Sequence, residues 1–279
     1  MDPQSRPDPR PRLASLFDAV AETYDATGVE FFGPIAAGLV SLLEPRAGER
    51  VADIGCGRGA FLLPAAEAVG PSGRVDGIDL SPAMAASASA AADAAGLAHV
   101  EVAVGDAQEP ALPEASYDVL GSSLVLFFLP HPAEALAAWH GLLAAGGRLG
   151  VSTFGPQDEV WHAIDELFTP YLPPQMLDAR TSGRSGPFAS DAGVEALVGG
   201  AGFDDVRTVT HDLEVRFAGP EQWHAFSWST GQRAMWAAVP EDARADVRAA
   251  AAALLEGART DDGSCVLRQQ VRYTLGVRP

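Results

Sequence analysis

The chain has 279 residues, 47% hydrophobic and 20% charged. On a usual domain of about 150 residues this fits one large globular domain or a core with a smaller addition, and excludes collagen-like, coiled-coil and disordered classes. With 19 Lys and Arg against 37 Asp and Glu, the formal charge is -18, a field that repels nucleic acid and anionic membrane surfaces. No stretch approaches about 18 uninterrupted apolar residues, and residues 1–11 lack the apolar core of a signal peptide. The expectation is therefore a cytoplasmic protein with no membrane insertion and no nucleic-acid partner. Two cysteines, Cys56 and Cys265, are too few for a disulfide scaffold or a thiolate metal site and are expected as free thiols.

Residues 1–12 are Pro-rich and read as a flexible tail. In residues 13–45, apolar side chains at helical spacing in LASLFDAVAETYD and FFGPIAAGLVSLLEP predict two helices ahead of the core. The core itself, residues 46–155, begins with the short apolar strand VADI, which runs straight into GCGRG and a helix over 61–70. RVDGIDL repeats the pattern as a strand, followed by an Ala-rich helix that Pro82 opens and Gly96 stops. VEVAVGD, residues 117–124 and RLGVSTF complete five strand candidates alternating with helices. Such alternation predicts an α/β fold, a doubly wound, mostly parallel sheet covered on both faces, with ligands beyond the carboxyl ends of the strands.

Residues 156–188, with several prolines and with Trp161, Phe168 and Tyr171, interrupt that alternation and read as an inserted lid. Residues 189–279 return to the core. They supply strand material at 203–217 and a Trp-rich helical stretch over 219–239. A further helix at 240–258 and a terminal strand at 266–277 follow, which brings the strand candidates to seven. In the last strand Leu267, Val271, Tyr273, Leu275 and Val277 alternate with Arg268, Gln270 and Arg272, so it is expected to be half-exposed.

The residues with chemical meaning cluster at strand ends. Gly55, Gly57 and Gly59 follow a buried strand and allow a tight turn beside a ligand, and Asp79 ends the next strand 20 residues after Gly59, where a carboxylate accepts ribose hydroxyls. A dinucleotide site would space its glycines as GxGxxG to seat a pyrophosphate on a helix N-terminus. Here Asp53 enters the turn, where it repels a pyrophosphate but suits a nucleoside with a cationic amino-acid end. Asp106, ending the third strand, is placed to accept from an adenine amino group.

These motifs, in this order, resemble the class I S-adenosylmethionine-dependent methyltransferases. The similarity is greatest to the branch that includes ubiquinone- and menaquinone-biosynthesis-like and microbial secondary-metabolite enzymes. The resemblance covers residues 17–154 well: the first motif matches 51–59, the ribose acid Asp79 with Leu80 beside the adenine, the third motif Gly105, Asp106 and Ala107, and the segment after strand four 117–128. It implies a Rossmann-like fold and S-adenosylmethionine as cofactor. It also implies a donor site that takes in Cys56, Met84 and Ser123, closed by Tyr24 of the Tyr24–Asp25 pair. A catalytically silent S-adenosylmethionine-binding partner or regulator, and an NAD(P)-dependent oxidoreductase, are the alternative readings.

The acceptor is a separate question. An oxygen or carbon nucleophile must lose its proton, and a histidine is suited to take it. Among six histidines, His140, His99, His211 and His131 sit where packing, edge or turn roles account for them, whereas His162 and His224 lie outside the common sheet, each beside a Trp, and are the candidate bases. Phe127, Phe128, Trp161, Trp223, Phe226 and Trp228 are candidates for an apolar acceptor chamber, with a packed lid core as the competing reading. Arg180, Arg184 and Arg233 are candidates to hold an acidic group. No HExxH, CxxC or calcium-loop pattern is present, so no metal site is expected. The expected partner is a small hydrophobic acceptor, aromatic or polyketide- or quinone-like, with O-methylation slightly favoured over C-methylation, and a homodimer is compatible with the sequence.

Overall fold

The computed structural model describes residues 10–173, 176 and 185–279. In chain order the elements are α1 (Arg10–Val20), α2 (Phe32–Leu43), β1 (Arg50–Ile54), α3 (Leu62–Val69), β2 (Arg74–Asp79), α4 (Pro82–Ala94), β3 (Val100–Val104) and β4 (Tyr117–Ser123). They continue as α5 (Pro132–Leu142), β5 (Leu143–Gln157), α6 (Glu159–Glu166), α7 (Asp191–Gly200), β6 (Asp204–Phe217), α8 (Pro220–Trp228), α9 (Arg233–Ala238), α10 (Arg244–Glu256) and β7 (Cys265–Val277). Among the described residues no helix is long and apolar enough to cross a membrane.

One seven-stranded sheet has the order β3-β2-β1-β4-β5-β7-β6. The first five strands are parallel, and β7 runs antiparallel between β5 and β6. From β1 the chain winds outward to β3 and then returns to place β4 on the other side of β1, so the winding reverses between β1 and β4. A crevice opens at the carboxyl ends of the strands at such a reversal, and this is where a ligand fits in a doubly wound sheet.

Local chemistry fixes the elements around that crevice. Ser81 caps α4 by accepting from the Met84 N–H at 3.1 Å, and Pro82 occupies the first turn, where its missing N–H removes no helical bond. Asp158 caps α6 by accepting from the Trp161 N–H at 2.7 Å. Buried Trp139 on α5 donates its indole N–H to the Ala107 carbonyl at 2.8 Å, which ties the loop after β3 to the layer of helices. α1 lies on α4, with Val20, Ala21 and Met84 buried between them.

Three expectations need correction. Residues 10–12, read as part of a flexible tail, form the first turn of α1, while residues 1–9 lie outside the described residues. β5 extends well beyond the predicted 148–154, because its far end pairs with β7 as far as Gln157↔Gln269. β7 is not half-exposed, since β5 and β6 flank it and helices cover both faces. Arg272, assigned to the polar phase of the alternation, is only 4% exposed. It is accommodated by Asp191 at 2.6 Å and by the Phe154 and Phe188 carbonyls at 2.7 and 2.9 Å, the partners that a buried guanidinium requires.

Candidate active site

A cavity of ≈ 1180 Å³ opens at the carboxyl ends of the strands. At one end the chain leaves β1 through Gly55, Gly57 and Gly59, all with positive φ (76°, 52° and 95°). The Gly55 and Cys56 N–H groups donate to the Ile78 carbonyl, at 2.8 and 2.9 Å, so the turn is tied to the neighbouring strand. A Cβ on Gly55 would stand 2.4 Å from a Val125 methyl, whereas one on Gly57 would project into space with nothing within 4 Å. Gly55 therefore permits close packing beneath the turn, and Gly57 leaves its surface open for a ligand.

Asp79 holds the turn from the β2 side. Its carboxylate accepts from the Gly57 N–H at 2.8 Å and from the Ser81 N–H at 2.9 Å, which opposes the upward push that burial gives its pKa. Asp53 is 1% exposed, and its Oδ2 has no partner among the described residues. Burial, with the nearby Asp79 charge adding to it, raises its pKa well above the carboxylate range. Burial likewise raises the Cys56 thiol, which makes it a poor nucleophile. Asp106 accepts from the Gln108 N–H at 2.8 Å and from the Arg10 guanidinium of α1 at 2.9 Å. Asp18 of α1 accepts from the Ser81 hydroxyl at 2.5 Å and the Ala83 N–H at 3.1 Å, so α1 is bonded to two of the three strand-end loops. Tyr24 stacks on Phe32 at 4.4 Å, and burial raises its phenol pKa strongly.

Away from the glycine turn the wall becomes aromatic. Phe31 packs against Phe226 and Trp161 (ring centroids 5.4 and 6.0 Å apart), and Phe127 stacks on Phe154 at 5.5 Å. Gln157, Asp165, Gln232 and Gln269 complete this end of the cavity.

Of the residues predicted from sequence, Tyr24, Gly55, Gly57, Asp79, Leu80 and Met84 line the cavity, as do Asp106, Ala107, Ser123, Phe127, Phe128, Trp161 and Phe226. Asp53, Cys56, Gly59 and Gly105 stand behind that lining and shape its backbone. The two candidate bases do not reach it. His162 faces outward on α6, its side chain 45% exposed and 3.9 Å from Glu166. The His224 ring lies against Trp236 and accepts from the Trp228 indole at 3.1 Å, while burial lowers its pKa. The reason is helical phase. On α6 the turn that buries Trp161 and Ile164 against the core points His162 away, and on α8 Trp223 and Phe226 take the inward positions. Trp223 and Trp228 are likewise corrected, since both pack against Trp236 outside the cavity, Trp228 with the Arg233 and Arg244 guanidinium groups over its ring. Arg233 thus has a packing role, and Arg180 and Arg184 lie outside the described residues.

The sequence reading missed Phe31, Phe32 and Phe154, and the polar group of Gln157, Asp165, Gln232 and Gln269. Gln269 had a usable signal, because it shares the inward phase of Leu267, Val271 and Tyr273 on β7. The others carried none, since each joins the site through tertiary contact alone.

Comparison with known proteins decides the family. Residues 51–147 match a methyltransferase-domain family model. The chain is 38% identical to the nocamycin O-methyltransferase of Saccharothrix syringae over 84% of this chain and 87% of that protein. The chain belongs to the class I S-adenosylmethionine-dependent methyltransferases. This methyltransferase is also 41% identical to an aklanonic acid methyltransferase from a Streptomyces species over 60% of its own length and 76% of the relative's. Among solved structures its fold is similar to that of a Haemonchus contortus phosphoethanolamine N-methyltransferase in complex with S-adenosyl-L-methionine (TM-score 0.63, 18% identity, all of this chain and 61% of that one).

The residues present suit S-adenosylmethionine. The open surface above Gly57, the strand-end acids Asp79 and Asp106 on the cavity wall and the unpartnered buried oxygen of Asp53 behind it offer a nucleoside with a cationic amino-acid end a glycine cradle, two carboxylates and a third acidic group that a nearby cation would ionise.

Proposed function

We propose that this methyltransferase O-methylates a small, hydrophobic, ring-containing acceptor of polyketide or quinone type, and that it does so in the cytoplasm. The observation that carries the reading is the continuity of one cavity from the glycine turn to the aromatic wall, with room for a nucleoside cofactor and a multi-ring acceptor together. Two relatives, one named for nocamycin and one for aklanonic acid, support a small organic acceptor, and the first, named an O-methyltransferase, supports oxygen as the methylated atom.

S-adenosylmethionine, when bound, supplies an electrophilic methyl group on a sulfonium. In this reading Asp79 takes the ribose hydroxyls with Leu80 against the adenine, Asp106 takes the adenine amino group, and Asp53 with the Gly55–Gly57 backbone holds the amino-acid end. Tyr24, Phe32 and α1 cover that end from solvent. Phe31, Phe127, Phe154, Trp161 and Phe226 pack around the acceptor ring and exclude water, so that its oxygen is confined beside the donor. Restricting two reactants to a near-attack arrangement of roughly 3 to 3.5 Å accounts for much of the rate of such a displacement.

The test is incubation with S-adenosylmethionine and a panel of hydroxylated and carboxylated anthraquinones, phenols and quinones, with products read by mass spectrometry. The expected result is an O-methylated product with one equivalent of S-adenosylhomocysteine. Tight donor binding with no product across the panel would replace this reading with a catalytically silent S-adenosylmethionine-binding protein.

A further inference from the structure

Three elements and the segment before a fourth bring polar side chains to the aromatic end of the cavity, where apolar groups otherwise dominate. Asp165 on α6 accepts from the Nε2 of Gln157, at the end of β5, at 3.0 Å, and from the Nε2 of Gln232, just ahead of α9, at 3.1 Å. Gln269 on β7 is 2% exposed and donates to the Gly155 carbonyl at 2.9 Å, closing the group from below. The carboxylate fixes which way the two amides point, because turning either one over would set its oxygen against a carboxylate oxygen. Gln157 and Gln232 therefore have their Oε1 atoms left over as acceptors.

Both of those oxygens are shut away from water and have no partner among the described residues, and the same is true of the indole N–H of Trp161, which is 3% exposed. Gln157, Trp161, Asp165 and Gln232 all line the one cavity. Native interiors satisfy nearly all buried polar atoms, so three orphans on side chains that line one cavity point to a ligand toward which those side chains turn on binding.

We propose that Gln157, Asp165 and Gln232, with the Trp161 indole, read the polar edge of the acceptor and select a ring system that carries hydroxyl donors next to a carbonyl. The amide oxygens and the carboxylate take hydroxyl protons, and the indole donates to the carbonyl. A hydroxylated quinone or aromatic polyketide presents both groups on one rigid edge. Alkylating those hydroxyls leaves the acceptors of the site unmatched, a mismatch that buried hydrogen-bonding sites reject far more strongly than an altered apolar group.

This inference rests on the acceptor class proposed above and is tested apart from it. Protein saturated with S-adenosylhomocysteine is titrated calorimetrically with 1,2-dihydroxyanthraquinone, whose two hydroxyls and one carbonyl share an edge, and with its dimethyl ether. The wild type is expected to bind the dihydroxy compound at least about ten-fold more tightly. Asp165→Asn and Gln232→Leu are each expected to shrink that preference to within about three-fold, while S-adenosylhomocysteine affinity, which reports an intact fold, stays unchanged. Equal wild-type affinities for the two quinones, or a preference retained in both variants, overturns the proposal and leaves the acceptor class standing. Failure of both quinones to bind overturns the acceptor class and the proposal with it.

Discussion

At the glycine-turn end of the cavity the key residues come from the ends of three neighbouring strands, β1, β2 and β3, and each is held by backbone bonds to the next strand or to its own turn. At the aromatic end they come from the residue before α2, the loop after β4, β5, α6, α8, the segment before α9 and β7, and, apart from the β5–β7 pairing, side-chain packing and side-chain hydrogen bonds bring them together. The first arrangement is written locally, so that a strand, its turn and the acid at its end tolerate little change. The second is a surface assembled from distant parts, which can be repainted residue by residue while the donor end stays as it is. One fold can thereby serve many acceptors with one donor.

If that division is real, damage at the turn should remove donor binding outright. Gly57→Asp forces a side chain onto a backbone at φ 52° and sets a carboxylate into the open surface beside Asp79. S-adenosylmethionine affinity is expected to fall by at least about 100-fold, near 2.7 kcal/mol on the usual conversion, as read by calorimetry. Asp79→Ala should come close behind, because it also releases the Gly57 and Ser81 N–H groups, each bond to a charged acceptor contributing about 1.5–3 kcal/mol. Full donor binding in either variant would break the comparison.

Asp53 provides a smaller, signed test. Its pKa is raised in the folded protein, first by burial and then by Asp79, so the native state holds its proton at pH values where the unfolded chain has lost it. The stabilising contribution is present below the ordinary carboxylate range and is lost as pH rises through the raised value. Asp53→Asn should therefore flatten the decline in Tm of the ligand-free protein on that rise. It should also weaken donor binding, because a cation beside Asp53 favours the carboxylate. For the same reason wild-type binding should release a proton, visible as a binding enthalpy that changes with the ionisation enthalpy of the buffer. A buffer-independent enthalpy would remove Asp53 from the donor site.

The same division explains how much of the molecule was legible in the sequence. Strand alternation, the order of the turn and acid motifs, and the parallel core follow from local pattern, because Gly55, Asp79 and Asp106 each sit at the end of a short apolar run. Gln157 and Asp165 belong to segments read as lid, and their meeting depends on how far β5 extends against β7, which periodicity does not encode. Arg272 misled for a related reason, since a charged residue in a period-two strand reads as exposed until Asp191 and two carbonyls from elsewhere in the chain bury it.

The two histidines set the smallest expected effect. Chemical type and Trp neighbours singled out His162 and His224, but cavity geometry separates them from the acceptor. His162 is on the outer face of α6, so His162→Ala should leave kcat and KM within about two-fold of wild type, as is usual for an exposed position away from special features. His224→Ala removes the acceptor of the Trp228 indole and part of the packing on Trp236. It should lower stability by about 1 kcal/mol, measured as a fall in urea midpoint, while the pH profile of kcat keeps its shape. A lost acidic limb in that profile for either variant would instead show that a histidine takes the acceptor proton. That result would require α6 or α8 to turn during the catalytic cycle and would make the aromatic end a moving surface rather than a preformed one.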